Sequence, residues 1–110
     1  MKKLTIIRHA KSDWSFDLPD MERPISKRGK NDVKIMAELI DTINCFPQII
    51  YSSPSKRTVE TYDFFLKYST VFKNIEFQES NQLYDFRGYN VLEFIKNIDD
   101  AYSSVILFSH

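Results

Sequence analysis

The chain has 110 residues, enough for one domain, and its 15 basic residues balance 15 acidic ones. Hydrophobic residues make up 43% of the sequence and aromatic residues 15%, which is ample for a packed core and excludes a disordered chain. A formal net charge of zero argues against a general binder of nucleic acid or of a membrane surface, because such proteins usually carry a basic excess.

The composition also limits metal and disulfide chemistry. Cys45 is the only cysteine, which excludes an internal disulfide and a cysteine-rich zinc site, and we expect it to be a small buried side chain. Two histidines supply few ligands for a histidine-rich metal site, so no metal is expected. No apolar stretch reaches the roughly 18 residues of a membrane span, and Leu4–Ile7 is too short for a signal peptide. We therefore expect a cytoplasmic protein.

The first third of the chain predicts a strand, a loop and a helix. Leu4–Ile7 is a short β-branched run that ends at Arg8, which indicates a buried strand. Residues 11–24 are polar and contain prolines, and a loop of this length is usually functional. Helical spacing of apolar residues then predicts an amphipathic helix over about Ser26–Asn44.

The middle of the chain repeats this alternation. Gln48–Tyr51 is predicted as a second strand, and Ser53 with Pro54 as the N-cap and first position of a second helix. Ile75–Phe77 is a weaker strand. The sequence therefore continues as strand, helix, strand.

The last third adds one helix and one strand. Asn90 with Glu93 resembles a capping box, and an apolar stripe follows it at helical spacing. Val105–Phe108 is a fully apolar strand, followed by Ser109 and His110. The order β-α-β-α-β-α-β predicts an α/β fold, a three-layer α/β/α sandwich around a mostly parallel sheet, over residues 1–110 as a single domain.

In such sheets ligands bind beyond the carboxyl ends of the strands. This rule selects three places: Arg8–His9, residues 52–57, and Ser109–His110. A guanidinium matches phosphate oxygens bidentately, and Arg57 would lie in the first turn of a helix, where free N–H groups and the helix dipole favour anions. Arg8, beside the first strand, would need a carboxylate or an anionic ligand if it were buried.

Four segments resemble one known family. Leu4–Trp14 (LTIIRHAKSDW) resembles the signature of the histidine phosphatase superfamily, which also contains phosphoglycerate mutases. Asp20–Gly29 (DMERPISKRG) is similar to the loop and helix start of its small SixA-type phosphohistidine phosphatases. Ser52–Thr61 (SSPSKRTVET) is similar to the second motif of the superfamily, and Val105–His110 (VILFSH) to the strand and opening of the motif with its second histidine.

The resemblance implies a phosphoglycerate mutase-like fold and a role for each matching residue. His9 would attack phosphorus and become a phosphohistidine that water then hydrolyses. Arg8, Arg57 and His110 would surround the non-bridging oxygens and stabilise the transition state. Arg23 and Ser12 would contribute to substrate binding, although an ion pair or a loop hydrogen bond would also explain them. No metal or other cofactor is needed, because the arginines supply the positive charge.

The sequence departs from the family where larger members carry a glutamate that protonates the leaving group. Asp85 is the nearest acid here, and a turn or surface role explains it better. Without a strong acid, a phosphohistidine on a protein is the preferred substrate, because histidine leaves more easily than an alkoxide. The alternatives are a small phosphoester, with Asp85 as the acid, and a noncatalytic phosphate-binding remnant.

A second departure is the end of the chain. Members of the family continue past the second histidine with a helix and a strand, whereas this sequence ends at His110. The resemblance therefore implies a domain that is incomplete at its C-terminus. We expect an uncovered apolar face beside Val105–Phe108, which would favour self-association.

Overall fold

A computed structural model describes residues 3–43 and 46–110; Cys45, and with it the expected burial of its side chain, lies outside the described residues. The strands are β1 (Lys3–Arg8), β2 (Ile49–Ser52), β3 (Glu76–Glu79) and β4 (Ser104–Ser109). The helices are α1 (Lys27–Ile40), α2 (Lys56–Tyr68) and α3 (Tyr89–Lys96), with short 3-10 turns at Asp20–Glu22 and Asn81–Leu83. The order β1-α1-β2-α2-β3-α3-β4 confirms the predicted alternation.

All three strand pairings are parallel, and the order across the sheet is β1-β4-β2-β3. The register pairs Arg8 of β1 with Ser109 of β4, and Ser52 of β2 with Phe108 of β4. The carboxyl ends of β1, β4 and β2 therefore meet at one edge of the sheet, and the residues after these strands are brought together there.

The sheet is covered by helices on both faces, which confirms the three-layer prediction. On one face, α1 and α2 pack on Ile106 and Phe108 of β4, with Phe72 at the centre. On the other face, Val105 and Leu107 pack against α3 and the turn around Leu83. Because β4 is apolar on both faces, every residue of Val105–Phe108 is fully buried.

The first strand differs from its prediction. β1 lies at an edge of the described sheet, and its side chain Ile6 is 56% exposed, so the prediction of a buried strand was wrong. Leu4 and Ile6 are in register with Val105 and Leu107, on the α3 side of the sheet. The exposed apolar residues therefore lie on β1, directly beside Val105–Phe108 as expected, whereas Val105–Phe108 themselves are buried.

Two predicted helix starts were also wrong. α2 begins at Lys56 with Ser55 as its N-cap, so Ser53 and Pro54 lie outside the helix. α3 begins after Gly88, whose φ of 94° suits a residue without a Cβ, and Asn90 is inside the helix. At these positions other contacts replace the expected caps. The Ser53 hydroxyl is bonded to His110, and the Asp85 carboxylate accepts from the first N–H groups of α3.

The N-terminus of α1 packs closely on the chain that follows β1. The Ser26 side chain caps the helix by accepting from the Gly29 N–H at 3.0 Å, and the Ser26 N–H donates to the Lys11 carbonyl at 2.7 Å. A Cβ at Gly29 would lie 2.6 Å from the same Lys11 oxygen, so only glycine fits without a shift of backbone. This contact fixes the segment that follows His9. Within the described residues, none of the helices combines the length and the apolarity that crossing a bilayer would require.

Candidate active site

A cavity of about 620 Å³ opens at the carboxyl edge of the sheet, where the sequence placed the site. It contains cationic and aromatic side chains and two carboxylates. Its walls are formed by Arg8, His9, Lys11, Ser12, Trp14, Asp20, Asp32, Arg57 and Phe86.

His9 follows β1 and is held as a neutral imidazole with its lone pair on Nε2. Its Nδ1 donates to the Ala10 carbonyl at 2.7 Å, so the lone pair lies on Nε2, which receives the Arg57 Nε–H at 3.4 Å. The Ala10 N–H is in turn bound by Thr61 Oγ1 at 2.9 Å. Burial lowers the pKa of His9 below its ordinary value, and the charges of Arg57 and Arg8 lower it further. His9 lines the cavity, and an unprotonated Nε2 is a competent nucleophile.

His110 follows β4 and lies beside His9, with 5.1 Å between the ring centroids. Its Nε2 hydrogen-bonds Ser53 Oγ at 2.9 Å, and its Nδ1 accepts from Arg57 at 3.3 Å. Burial, and then the charge of Arg57, lower the pKa of His110 to about 4. His110 is therefore neutral near pH 7 until an anion enters the site and favours its protonated form.

Arg57 connects the two histidines. Its side chain is 4% exposed and carries hydrogen bonds on all three nitrogens. Nε–H is directed to His9, NH2 to His110, and NH1 and NH2 together to the carbonyl and carboxylate of Asp20, at 2.6 and 2.9 Å. The first turn of α2 thus places a buried guanidinium at the centre of the site, where the sequence predicted it.

Asp20 and Tyr84 are part of the site, and the sequence did not predict either of them. Asp20 belongs to the 3-10 turn Asp20–Glu22, and its Oδ2 accepts from Arg57 NH2 and from the Tyr84 hydroxyl. The hydroxyl of Tyr84, and next the hydrogen bond and charge of Arg57, keep the pKa of Asp20 below its ordinary value. A long loop with an acid three residues before Arg-Pro was the only sequence signal for this placement.

Two other predicted residues line the cavity. Arg8 is the last residue of β1 and is exposed at the wall, so it does not need the buried partner that the sequence suggested. Ser12 lies on the same wall and pairs with Ile25 in an isolated antiparallel bridge. Both side chains are available to an anion in the cavity.

Arg23 lies behind Trp14 and is not among the residues that line the described cavity, so its role in substrate binding stays a prediction. Its guanidinium donates to the carbonyls of Asp13, Phe16 and Leu18 at 3.4 Å and lies 3.8 Å below the Trp14 ring. These contacts with the loop carbonyls are long, and Arg23 Nε is buried without a hydrogen-bond partner in the part of the chain that the structure describes. Arg23 therefore supports the loop that carries Trp14.

Asp85 is also outside the cavity, and its side chain caps α3. Its carboxylate accepts from the N–H groups of Arg87, Asn90 and Val91 at 2.9–3.2 Å. These N–H groups hold the pKa of Asp85 below its ordinary value. An ionised cap is a poor proton donor, so these contacts favour the turn role of Asp85 over the role of an acid.

Two serines orient the second histidine. Ser53 is buried, and its Oγ contacts His110 and accepts from the Ser55 N–H. Ser55 Oγ pairs with Thr58 Oγ1 at 2.6 Å, at the start of α2. The Ser-Ser-Pro-Ser segment thus positions His110, which explains why Ser53 is not used as a helix cap. Among residues 3–43 and 46–110, no cluster of His, Cys, Asp and Glu has the arrangement of a metal site.

Comparison with known proteins identifies the group that shares this arrangement. The model of the histidine phosphatase superfamily (branch 1) matches residues 4–104. An uncharacterized chloroplastic protein of Arabidopsis thaliana is 39% identical over 61 residues, which are 54% of this chain and 28% of that protein. The chain thus matches under a third of the length of this curated relative.

Solved structures match over nearly the whole chain. A protein of Agrobacterium tumefaciens assigned as the phosphohistidine phosphatase SixA superposes with a TM-score of 0.86 at 24% identity, covering 99% of this chain and 69% of that one. The protein histidine phosphatase SixA complexed with tungstate superposes with a TM-score of 0.80 at 17% identity, covering 97% of this chain and 68% of that one. At these identities the superpositions establish the fold.

Proposed function

We propose that this chain, which belongs to the histidine phosphatase superfamily (branch 1), carries a phosphatase site that transfers a phosphoryl group to Nε2 of His9 and then to water. One observation carries the proposal. His9, whose Nε2 is unprotonated, lines a cavity together with a buried arginine that is hydrogen-bonded to both histidines. A nucleophile beside a fixed guanidinium is the arrangement that phosphoryl transfer through a covalent intermediate requires.

Each group has a distinct part in the proposed reaction. Arg57 and Arg8 hold the non-bridging oxygens, and the incoming dianion raises the pKa of His110, so that its imidazolium can donate a hydrogen bond as well. Ser53 keeps the His110 ring oriented while it changes protonation state. Charge spreads over the equatorial oxygens in the transition state, and these cations meet it there.

We further propose phosphohistidine on a protein as the substrate. The SixA structures supply the likeness in fold, and the site supplies a chemical reason. Asp20 and Asp85 are the two carboxylates that are candidates for a role in catalysis. The pKa of each is lowered, so both are ionised near pH 7. A site without a protonated carboxylic acid favours leaving groups that depart without one, and a phosphohistidine protonated on its second nitrogen leaves as neutral imidazole.

The first experiment traps the intermediate. The protein is mixed with a histidine-phosphorylated peptide, quenched without acid, and the phosphorylated residue is located by mass spectrometry. We expect phosphate on His9, none in His9→Asn, and normal labelling in Lys67→Ala, a change on an exposed part of α2. Turnover that survives His9→Asn would eliminate the mechanism.

The second experiment compares leaving groups. We expect high activity on the histidine-phosphorylated peptide and on p-nitrophenyl phosphate, whose phenolate needs no proton, and low activity on β-glycerophosphate. Fast hydrolysis of β-glycerophosphate would instead favour a small-molecule phosphomonoesterase.

A further inference from the structure

Hydrolysis of the proposed phosphohistidine needs a group that accepts a proton from water. His9 carries the phosphoryl group at that stage, and His110 already uses Nε2 for Ser53 and Nδ1 for Arg57. Of the two carboxylates on the described cavity wall, Asp32 is exposed on α1 and faces Arg28 at 3.9 Å. Asp20 is the carboxylate bonded to the arginine that contacts the nucleophile.

The guanidinium of Arg57 separates His9 from Asp20. Its Nε edge is directed to His9 Nε2, and its NH1–NH2 edge holds the Asp20 carbonyl and carboxylate. One guanidinium thus separates the Asp20 carboxylate from His9 Nε2, and both residues line the same cavity. The Asp20 side chain is 44% exposed, so a water molecule in the cavity can lie between its carboxylate and a phosphoryl group on His9.

We propose that Asp20 is the general base for hydrolysis of phosphorylated His9, an inference that rests on the proposed function. A lone pair of water forms the new oxygen–phosphorus bond, and the phosphorus–nitrogen bond breaks with its electron pair returning to Nε2 of His9. The proton of the attacking water moves to the Asp20 carboxylate, and from there to bulk solvent. The products are inorganic phosphate and the free enzyme, so atoms and charge balance.

The contacts of Asp20 suit a base. Tyr84 and Arg57 both donate to Oδ2, which holds the carboxylate in place and ionised. When a phosphoryl dianion binds Arg57, it takes part of that positive charge and adds negative charge nearby. The pKa of Asp20 then rises, which strengthens the base in the step that needs it.

The test separates the two half-reactions by rapid quench with the histidine-phosphorylated peptide. In Asp20→Asn we expect phosphoenzyme formation at close to the parent rate and hydrolysis slowed by about 10²- to 10⁴-fold, the range of general base catalysis. Phosphate on His9 should therefore accumulate. Asp17→Asn, an exposed carboxylate of the same loop, should hydrolyse the intermediate at the parent rate.

A second variant tests whether the pKa of Asp20 sets the pH dependence of hydrolysis. Tyr84→Phe keeps the carboxylate but removes the hydroxyl that lowers its pKa, so the acid limb of the hydrolysis rate against pH should move to higher pH. Formate should partly restore hydrolysis in Asp20→Asn and leave the parent unchanged.

Asp20→Asn that hydrolyses its intermediate at the parent rate overturns the inference. Equal slowing of both half-reactions also overturns it, because Asp20 would then only position Arg57. Absence of phosphate on His9 in the parent protein would remove the proposed function itself, which is a different result from either.

Discussion

Replacing Arg57 with lysine tests how far the site depends on a planar, forked cation. The guanidinium reaches four partners at once: His9, His110, and the carbonyl and carboxylate of Asp20. An ammonium group retains the charge but cannot reproduce this geometry from one nitrogen. The loss of one charge-assisted hydrogen bond to a bound oxyanion is worth about 1.5–3 kcal/mol, so vanadate affinity should fall about ten- to a hundredfold.

The measurement is calorimetric titration with vanadate, with circular dichroism to confirm that each variant is folded. Arg28→Lys is the matched control, because Arg28 is 75% exposed on α1 and pairs only at 3.9 Å with Asp32. It should bind vanadate as the parent does. If folded Arg57→Lys binds vanadate with parental affinity, the forked geometry contributes nothing and the account of the site is refuted.

Three further changes have defined outcomes. Gly29→Ala places a Cβ against the Lys11 carbonyl and should lower the free energy of unfolding by about 1–3 kcal/mol in urea denaturation, with parental stability as the contrary result. Asp85→Ala removes the α3 cap and should cost about 1 kcal/mol while leaving turnover of the histidine-phosphorylated peptide unchanged; a large loss of turnover would reinstate Asp85 as an acid. Because the pKa of His110 is about 4 in the folded protein and 6.5 ordinarily, the unfolded chain binds more protons between these values. The melting temperature should therefore fall as pH is lowered from about 6.5 to 4, and His110→Asn should flatten this dependence.

The sequence predicted the parts of the fold that repeat along the chain. Alternating apolar strands and amphipathic helices gave the layers, and the rule for parallel sheets brought His9, Arg57 and His110 to one edge. The exposure of β1 was not predictable from its own residues, because Leu4–Ile7 resembles an inner strand in composition. Only the order of the strands makes β1 an edge of the described sheet. Burial in a sheet depends on neighbours that the local pattern does not contain.

The polar contacts of the site were harder to predict than its position. Ser53 matches a helix cap locally, yet its hydroxyl is bonded to a histidine 57 residues away in the chain. Arg23 matches an anion-binding residue, but in the structure its guanidinium contacts loop carbonyls and the Trp14 ring. Such side chains have several chemically equivalent partners, and only the packed structure selects among them.

The pairing of Asp20 with Arg57 affects how the site discriminates between bound states. In the free protein the carboxylate of Asp20 bonds the guanidinium of Arg57, so in the proposed reaction a phosphoryl oxygen must compete with it for this cation. This competition weakens ground-state and product binding. In the transition state, charge on the equatorial oxygens binds Arg57 more strongly, and the proton taken by Asp20 removes the repulsion between the two anions. An interaction that opposes phosphate binding but not its transfer increases the rate of the chemical step, because only the difference between the two states accelerates a reaction.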